Sequence, residues 1–217
     1  MKNKIQISDV SVLKNTQKIL DSVSSSILDG ERVLVHGCSG AGKSTLLKCL
    51  LLFEDISSGN IIFNNEIVNE NNVASYRLNF AYISQKLPYY YGTAKEFLFL
   101  PKTFKNNRDL IISYKEIEYY FNKLSLNMDL LKKEYNRLSD GEKQRVCIVQ
   151  ALLLERKFMI LDEATSNLDL KNKERVVDLL SDKGVTVITV SHDQCWDNAF
   201  TKKIILEDGR MVKEIIK

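Results

Sequence analysis

The chain has 217 residues, of which 44% are hydrophobic and 27% are charged, so it has the size and composition of a globular protein with a buried core. Its net charge of +3 is too small to indicate nucleic acid as the main partner, since nucleic-acid-binding proteins usually carry a strongly basic face. No apolar run reaches the roughly 18 residues that a membrane span needs, so we expect other chains to supply any membrane-spanning part.

The N-terminal segment, residues 1–12, contains two lysines but no apolar stretch behind them, which predicts an alternating strand and not a signal peptide. No pair of cysteines has the C-x-x-C spacing of a zinc site. Without an export signal, the sequence therefore predicts reduced thiols in the cytoplasm. The four cysteines are Cys38, Cys49, Cys147 and Cys195.

The first third of the chain predicts a strand, a glycine-rich loop and a helix, flanked by a small sheet. Residues 4–11 and 59–68 alternate between apolar and polar side chains, as strands of a half-buried sheet do. Between them, residues 31–36 form a short apolar run, and residues 43–52 have helical spacing.

The remaining elements predict an α/β fold. Residues 86–153 have helical periodicity and few strand signals, so we interpret them as a helical insertion. Residues 158–161 and 185–190 are apolar strands, and a final hairpin turns at Asp208 and Gly209. Strands that alternate with helices predict a mostly parallel sheet with helices on its faces.

The glycine-rich segment GCSGAGKS, residues 37–44, matches the phosphate-loop pattern G-x-x-x-x-G-K-[ST] between a predicted strand and a predicted helix. In a loop of this kind the backbone N–H groups point at phosphate oxygens, so we expect Lys43 to neutralise the β- and γ-phosphates and Ser44 to hold magnesium. The alternative, a chance match in a turn, is disfavoured by this context. The predicted nucleotide-binding residues are Gly37, Cys38, Ser39, Gly40, Ala41, Gly42, Lys43, Ser44 and Thr45.

Two carboxylates follow the predicted strand at residues 158–161. Asp162 stands at the strand end, where it can reach magnesium, and Glu163 can orient and polarise an attacking water. An apolar strand that ends in Asp-Glu is more often a plain boundary between strand and loop. Downstream of a phosphate loop, the catalytic interpretation is favoured.

The segment LSDGEKQR, residues 138–145, resembles the signature motif of ATP-binding cassette (ABC) ATPases and stands, as in that family, just before the Asp-Glu strand. Ser139 and Glu142 also form a capping box, and both interpretations hold together because a capped helix N-terminus attracts anions. The resemblance implies that Ser139 and Gly141 cover the γ-phosphate of ATP held by the other subunit of a head-to-tail dimer.

The signature departs from the family pattern at two positions. Asp140 and Glu142 replace the usual glycine and glutamine. We expect the added negative charge near the phosphates to slow turnover.

Three further residues match family positions in order. Gln85 resembles the loop glutamine that touches magnesium and the attacking water, and Asp169 lies in a segment that resembles the loop contacting the partner subunit. His192, at the end of a predicted strand, resembles the switch histidine that hydrogen-bonds the γ-phosphate. Each alone is also compatible with a structural or solvated role, but together with the other motifs they form a specific pattern over nearly the whole chain.

Two positions of the nucleotide site differ from the family. The family usually stacks an N-terminal aromatic residue on adenine, but residues 12–16 contain none, so we expect Leu13 or Lys14 to pack there with weaker base contact. Cys38 stands where relatives often have proline. It is interpreted as a small turn residue, with an oxidation-sensitive thiol as the alternative.

An aromatic cluster follows Gln85 directly, in the segment KLPYYYGT at residues 86–93. Such a cluster is usually part of a core. The resemblance implies instead the groove in which a helix of the membrane subunit docks, where aromatic residues are favoured. Trp196 is interpreted as packing.

The resemblance as a whole implies an ABC ATPase subunit with a P-loop NTPase core, a small antiparallel β subdomain and an inserted helical subdomain. We expect a single domain over residues 1–217, with the core and β subdomain in 1–85 and 154–217 and the helical subdomain in 86–153. Two copies are expected to enclose two ATP molecules. The implied catalytic residues are Glu163, His192 and Gln85, and the implied Mg²⁺ ligands are Ser44, Gln85 and Asp162.

The expected output is transport through a permease on a separate chain, with this protein at the cytoplasmic face of the membrane. Residues 82–101 resemble small ATPases of metal export, chiefly iron export; importer and lipid or peptide exporter ATPases remain alternatives. A non-transport ABC ATPase acting on ribosomes, DNA or cell division is a further alternative. A metabolite kinase is disfavoured by the signature at residues 138–145.

Overall fold

The computed structural model describes residues 4–217, and the part of the N-terminal prediction that falls on residues 1–3 lies outside the described residues. Within this range, the strands form one six-stranded and one four-stranded sheet. The strands are β1 Lys4–Lys14, β2 Gln17–Leu28, β3 Arg32–His36, β4 Ser58–Phe63, β5 Glu66–Ile67, β6 Phe80–Ile83, β7 Phe158–Asp162, β8 Thr186–Val190, β9 Lys202–Glu207 and β10 Arg210–Ile216. The α-helices are α1 Lys43–Leu50, α2 Val73–Arg77, α3 Ala94–Phe99, α4 Tyr114–Lys123, α5 Asp140–Leu153, α6 Leu170–Lys183 and α7 Gln194–Ala199.

The six-stranded sheet has the order β10-β9-β3-β8-β7-β6, and all its pairs except β10 with β9 are parallel. The predicted α/β fold with a mostly parallel sheet is thus confirmed. In the register of the sheet, Val190 of β8 lies opposite both Val35 of β3 and Asp162 of β7. The carboxyl ends of these strands therefore meet at one edge, where the segments that follow them form a common site.

The four-stranded antiparallel sheet has the order β2-β1-β4-β5. The strand signals in residues 4–11 and 59–68 are confirmed, but the 12-residue strand β2 was not predicted. Its buried apolar residues Leu20, Val23 and Ile27 do not alternate, because the chain is irregular at Ser22, where φ is 51°, and the pairing with β1 shifts register nearby. A bulge of this kind breaks the period of two on which strand prediction depends.

The segment between β6 and β7 is helical. Besides α3, α4 and α5 it contains short 3₁₀ turns, and its buried residues pack into a cluster with α6 and the inner face of the large sheet. Whether residues 86–153 form a separate subdomain stays a prediction. In the described part of the chain, no helix has the combination of length and apolar character that crossing a membrane requires.

The final hairpin forms as predicted. Asp208 and Gly209 both have left-handed backbone conformations, with φ of 46° and 79°, as a tight two-residue turn requires. β10 pairs with β9 and is one of the two edge strands of the large sheet.

Candidate nucleotide-binding site

The glycine-rich loop at residues 37–42 is packed against neighbouring strands in a way that only glycine permits. A Cβ atom on Gly37 would lie 2.2 Å from the Leu206 carbonyl oxygen, and one on Gly42, where φ is 93°, would lie 2.7 Å from the Ile19 carbonyl oxygen. Gly40, with φ of 82°, has no atom within 4 Å of an added Cβ. Neighbouring strands therefore hold the loop in place at Gly37 and Gly42. At Gly40 the space beside the backbone is open, so a bound group has room there.

Lys43 lies beneath this loop and is only 7% exposed. Its ammonium group donates hydrogen bonds to the carbonyl oxygens of Gly37 and Cys38, each over 2.8 Å. An ammonium group has three donors, so one remains for a bound anion. Helix α1 begins here after Gly42 without a side-chain cap, so its first N–H groups add positive potential at the same place.

Ser44 and Asp162 meet at the end of the loop. The Ser44 hydroxyl donates to Asp162 Oδ1 over 2.8 Å, and the Tyr82 hydroxyl donates to Asp162 Oδ2 over 3.4 Å. Burial, together with the charge of Asp162, raises the pKa of Tyr82 to about 12. Hydroxyl and carboxylate oxygens are ligands that Mg²⁺ accepts, so this pair fits a magnesium site. Sequence analysis missed Tyr82, which reaches Asp162 only through the pairing of β6 with β7.

Gln85 and Glu163 are joined across 78 positions of the chain. The Gln85 side-chain amide donates to Glu163 Oε2 over 2.6 Å. Glu163 has a left-handed backbone with φ of 51°, and its N–H donates to the Val190 carbonyl oxygen over 3.0 Å. A non-glycine residue in this conformation is uncommon, and such residues cluster at functional sites. Here the conformation directs the carboxylate away from β7 toward Gln85.

His192 is exposed and lies edge-on to His36, with 5.9 Å between the ring centroids. Burial, followed by the positive charge of Lys203, lowers the pKa of His36, so this ring is neutral at pH 7. Sequence analysis missed His36, because the residue before a phosphate loop carries no chemical signal of its own.

The segment after His192 is tied to the loop that follows Glu163. Asp193 accepts hydrogen bonds from the Thr165 hydroxyl over 3.0 Å and from the Lys173 ammonium over 2.5 Å. Trp196 is buried, and its indole N–H donates to Thr165 over 3.3 Å. The packing role predicted for Trp196 is confirmed, with a hydrogen bond in addition.

The predicted capping box at the start of α5 is confirmed. Glu142 accepts from the Ser139 N–H over 2.8 Å, and the Ser139 hydroxyl accepts from the Glu142 N–H over 3.3 Å. Burial raises the pKa of Glu142, but the hydrogen bonds that it accepts from the Ser139 N–H and hydroxyl, together with the positive charges of Lys133 and Arg145, hold the pKa below its usual value. Asp140 remains exposed, 3.6 Å from the Lys143 ammonium.

Ser139 and Asp169 are both exposed, and Asp169 caps α6 by accepting from the Asn172 N–H over 2.8 Å. No hydrogen bond or ion pair within residues 4–217 joins Ser139, Gly141 or Asp169 to the loop at residues 37–45. The structure thus brings together the loop, Asp162, Glu163 and Gln85 at one sheet edge, and leaves Ser139 and Asp169 exposed.

The aromatic cluster after Gln85 divides between core and surface. Tyr90 packs edge-on against Phe97, with 5.6 Å between the ring centroids. Tyr89 and Tyr91 are 70% and 84% exposed. The core interpretation is therefore wrong for Tyr89 and Tyr91.

At the N-terminal position where an adenine-stacking residue was sought, Lys14 forms an ion pair with Glu54 over 2.6 Å. Leu13 is 51% exposed and therefore available to a ligand. Cys38 is an exposed free thiol in the phosphate loop.

Known proteins share both sequence and fold with this chain. A model of the family described as ABC transporter matches residues 20–166. A probable ABC transporter ATP-binding/permease protein of Haemophilus influenzae is 36% identical over 214 residues, which cover 96% of this chain and 39% of that relative. The chain thus spans about two fifths of the length of that relative. The probable iron export ATP-binding protein FetA of Escherichia coli is 30% identical over 207 residues, which cover 94% of this chain and 91% of FetA.

Solved structures share the whole fold. The dimeric post-hydrolysis structure of the ATP-binding cassette MJ0796 bound to ADP and Pi matches with a TM-score of 0.85 and 25% identity, over 98% of both chains. A bacterial Atm1-family ABC exporter with ATP bound has the same TM-score of 0.85 at 22% identity, over 98% of this chain and 38% of the exporter chain.

Proposed function

Because the chain belongs to the ABC transporter family and has the fold of its ATP-binding cassettes, we propose that it binds ATP with Mg²⁺ in the loop at residues 37–45 and hydrolyses it. The observation that carries this proposal is the grouping of two hydrogen-bonded pairs of side chains at one edge of the six-stranded sheet. There the hydrogen bond between Ser44 and Asp162 and the one between Gln85 and Glu163 lie beside a phosphate loop.

Each of these residues has a distinct chemical task. Loop amides and Lys43 would bind the phosphates, while Ser44, Asp162 and Gln85 would hold Mg²⁺, which would neutralise phosphate charge when bound. Glu163 accepts a proton from the attacking water at its carboxylate, and Gln85, already bonded to that carboxylate, orients it. His192, exposed at the end of β8, donates a hydrogen bond to the γ-phosphate.

A second copy of the chain completes the site. Ser139 and Asp169 are exposed and make no bond to the subunit's own loop among the described residues, which supports their facing a partner's nucleotide. The capped N-terminus of α5 suits the γ-phosphate because the first-turn N–H groups attract anions. The matched cassette MJ0796 is described as dimeric, in agreement with this arrangement.

The hydrolysis cycle powers a membrane permease. The Haemophilus relative is named as a fusion of ATP-binding and permease parts, whereas FetA is named as an ATP-binding protein and is covered over 91% of its length. A permease on a separate chain, with this protein bound peripherally at the cytoplasmic face, is the arrangement that the FetA match favours. Because FetA is named as a probable iron export protein, iron is the proposed transported substrate.

Release of phosphate from ATP without any acceptor tests the proposed reaction. The purified protein with ATP and Mg²⁺ is expected to release inorganic phosphate continuously, and chelation of Mg²⁺ is expected to stop it. A protein that consumes ATP only when a small hydroxylated acceptor is present, and places the phosphoryl group on that acceptor without releasing inorganic phosphate, would be a kinase and would contradict the proposal.

The exposed tyrosines Tyr89 and Tyr91 test the permease contact. When the tagged protein is isolated from detergent-treated membranes of its host, we expect a membrane-spanning permease to copurify. The Tyr89→Ala/Tyr91→Ala variant is expected to lose at least about 90% of that partner, because aromatic residues dominate such interfaces. The matched control is Tyr114→Ala, which truncates a tyrosine that is 52% exposed on α4. Equal recovery by all three proteins would contradict docking at this segment.

A further inference from the structure

The first turns of α5 are joined to the loop at residues 166–169 inside the subunit. Gln144 on α5 is only 1% exposed, and its side-chain oxygen accepts a hydrogen bond from the Asn167 N–H over 3.1 Å. One turn earlier, a Cβ added to Gly141 would lie 3.4 Å from the Asn167 carbonyl oxygen and 3.7 Å from Leu168 Cδ2. Helix α5 therefore contacts the loop at both the N–H group and the carbonyl group of Asn167.

Charge acts across the same contact. Burial lowers the pKa of Arg145, and the carboxylates of Glu142 and Asp169 act in the opposite direction. Arg145 and Glu142 both belong to the helix, whereas Asp169 belongs to the loop, so the attraction between Arg145 and Asp169 is the one that acts across the contact. The contact thus combines a buried hydrogen bond, close packing and ionic attraction.

Of the two polar atoms in the Gln144 side chain, only the oxygen has a hydrogen-bond partner among the described residues. Its amide nitrogen is buried and has no hydrogen-bond partner among the described residues. A buried donor without an acceptor is unfavourable, so a position that required only packing would be better filled by an apolar side chain of similar size. The acceptor oxygen, and with it the bond to Asn167, is what a glutamine supplies here.

The geometry points to Gln144 as a positioning residue that holds the loop at residues 166–169 and the start of α5 as one rigid surface toward the partner subunit. Ser139 and Asp169, one on each element, are both exposed. Two segments that meet a partner together must keep their spacing, and the Asn167 bond fixes it. This inference rests on the proposed ATP-dependent dimer.

The test uses Gln144→Met, which keeps side-chain size and removes the acceptor, in the Glu163→Gln background. ATP affinity, measured by calorimetry below the dimerisation concentration, is expected to stay within about twofold of the parent, since the phosphate loop is untouched. The protein concentration for half-maximal dimer formation in ATP and Mg²⁺, measured by sedimentation, is expected to rise about tenfold.

The matched control is Gln150→Met in the same background. Gln150 lies on the same helix and also bonds a backbone group with its side chain, because its amide donates to the Phe97 carbonyl oxygen on α3. A merely structural loss would affect both variants alike, whereas the inference expects the control to dimerise within about twofold of the parent. Equal dimerisation of Gln144→Met and the parent would overturn the inference.

Hydrogen exchange keeps the inference testable if Gln144→Met does not fold. The Asn167 side chain is exposed, but its N–H bonds a buried oxygen, so we expect this amide in the wild-type protein to exchange at least about tenfold more slowly than in an unstructured peptide. Exchange at the peptide rate would overturn the inference. If the Glu163→Gln parent does not form a dimer, the proposed ATP-dependent dimer is wrong. The exchange rate of the Asn167 amide then still shows whether its hydrogen bond to Gln144 exists.

Discussion

Replacing Glu163 with glutamine is expected to lower the rate of ATP hydrolysis about 1,000-fold, the range of effect of a general base, with ATP affinity nearly unchanged. The carboxylate accepts a hydrogen bond from Gln85 over 2.6 Å and is the group placed to take the proton of the attacking water. A glutamine side chain has nearly the same shape but does not take up that proton, so binding contacts persist while the reaction stops.

The same variant is expected to accumulate as an ATP-bound dimer. Because hydrolysis opens the dimer in the proposed cycle, a sizing column run in saturating ATP and Mg²⁺ separates dimeric variant from largely monomeric wild type. Glu155→Gln is the matched control: Glu155 also has a left-handed backbone with φ of 51°, but it lies in the exposed turn after α5. Hydrolysis by Glu163→Gln at the wild-type rate, or a variant that stays monomeric, would contradict the assignment.

Replacing Lys43 with alanine is expected to lower ATP hydrolysis about 100- to 1,000-fold, the loss expected for removal of one preorganised charged donor from a transition state. Unlike Glu163→Gln, this change is also expected to weaken ATP binding, since the ammonium group contacts the phosphates before and during the reaction. The free energy of unfolding falls as well, because Lys43 is buried and its bonds to the Gly37 and Cys38 carbonyl oxygens hold the loop.

The control for Lys43→Ala is Lys48→Ala, which removes one positive charge from the exposed side of the same helix. Phosphate release measured at several ATP concentrations separates the loss of affinity from the loss of rate. If both lysine variants hydrolyse ATP like the wild-type protein, the loop at residues 37–45 is not the phosphate site.

Sequence alone predicted those parts of the molecule in which the local backbone conformation, or a short motif, requires particular residue types. The glycines of the phosphate loop are required by backbone conformation, and the pattern that contains them also fixes a strand before the loop and a helix after it. Asp162 and Glu163 stood out only because their strand lies downstream of a phosphate loop, since an apolar strand that ends in Asp-Glu is more often a plain boundary between strand and loop. The hairpin at Asp208 and Gly209 follows from turn chemistry in the same way.

The parts that were missed depend on contacts between distant residues. The strand β2 is hidden by the irregularity at Ser22, which removes the alternation of its apolar residues. Three of the missed residues matter only because of a contact with a residue that is distant in sequence. Tyr82 contacts Asp162, His36 contacts His192, and Gln144 contacts Asn167. No local pattern predicts these pairs, because the sheet register and the packing of α5 bring them together.

We propose above all that the loop at residues 37–45 binds the phosphates of ATP. A calorimetric titration of the wild-type protein and of Lys43→Ala with ATP in the presence of Mg²⁺ tests it most directly. We expect saturable heat with one ATP per wild-type subunit and at least about tenfold weaker binding by the variant. Absence of heat with the wild-type protein, or identical binding curves for the two proteins, would contradict it.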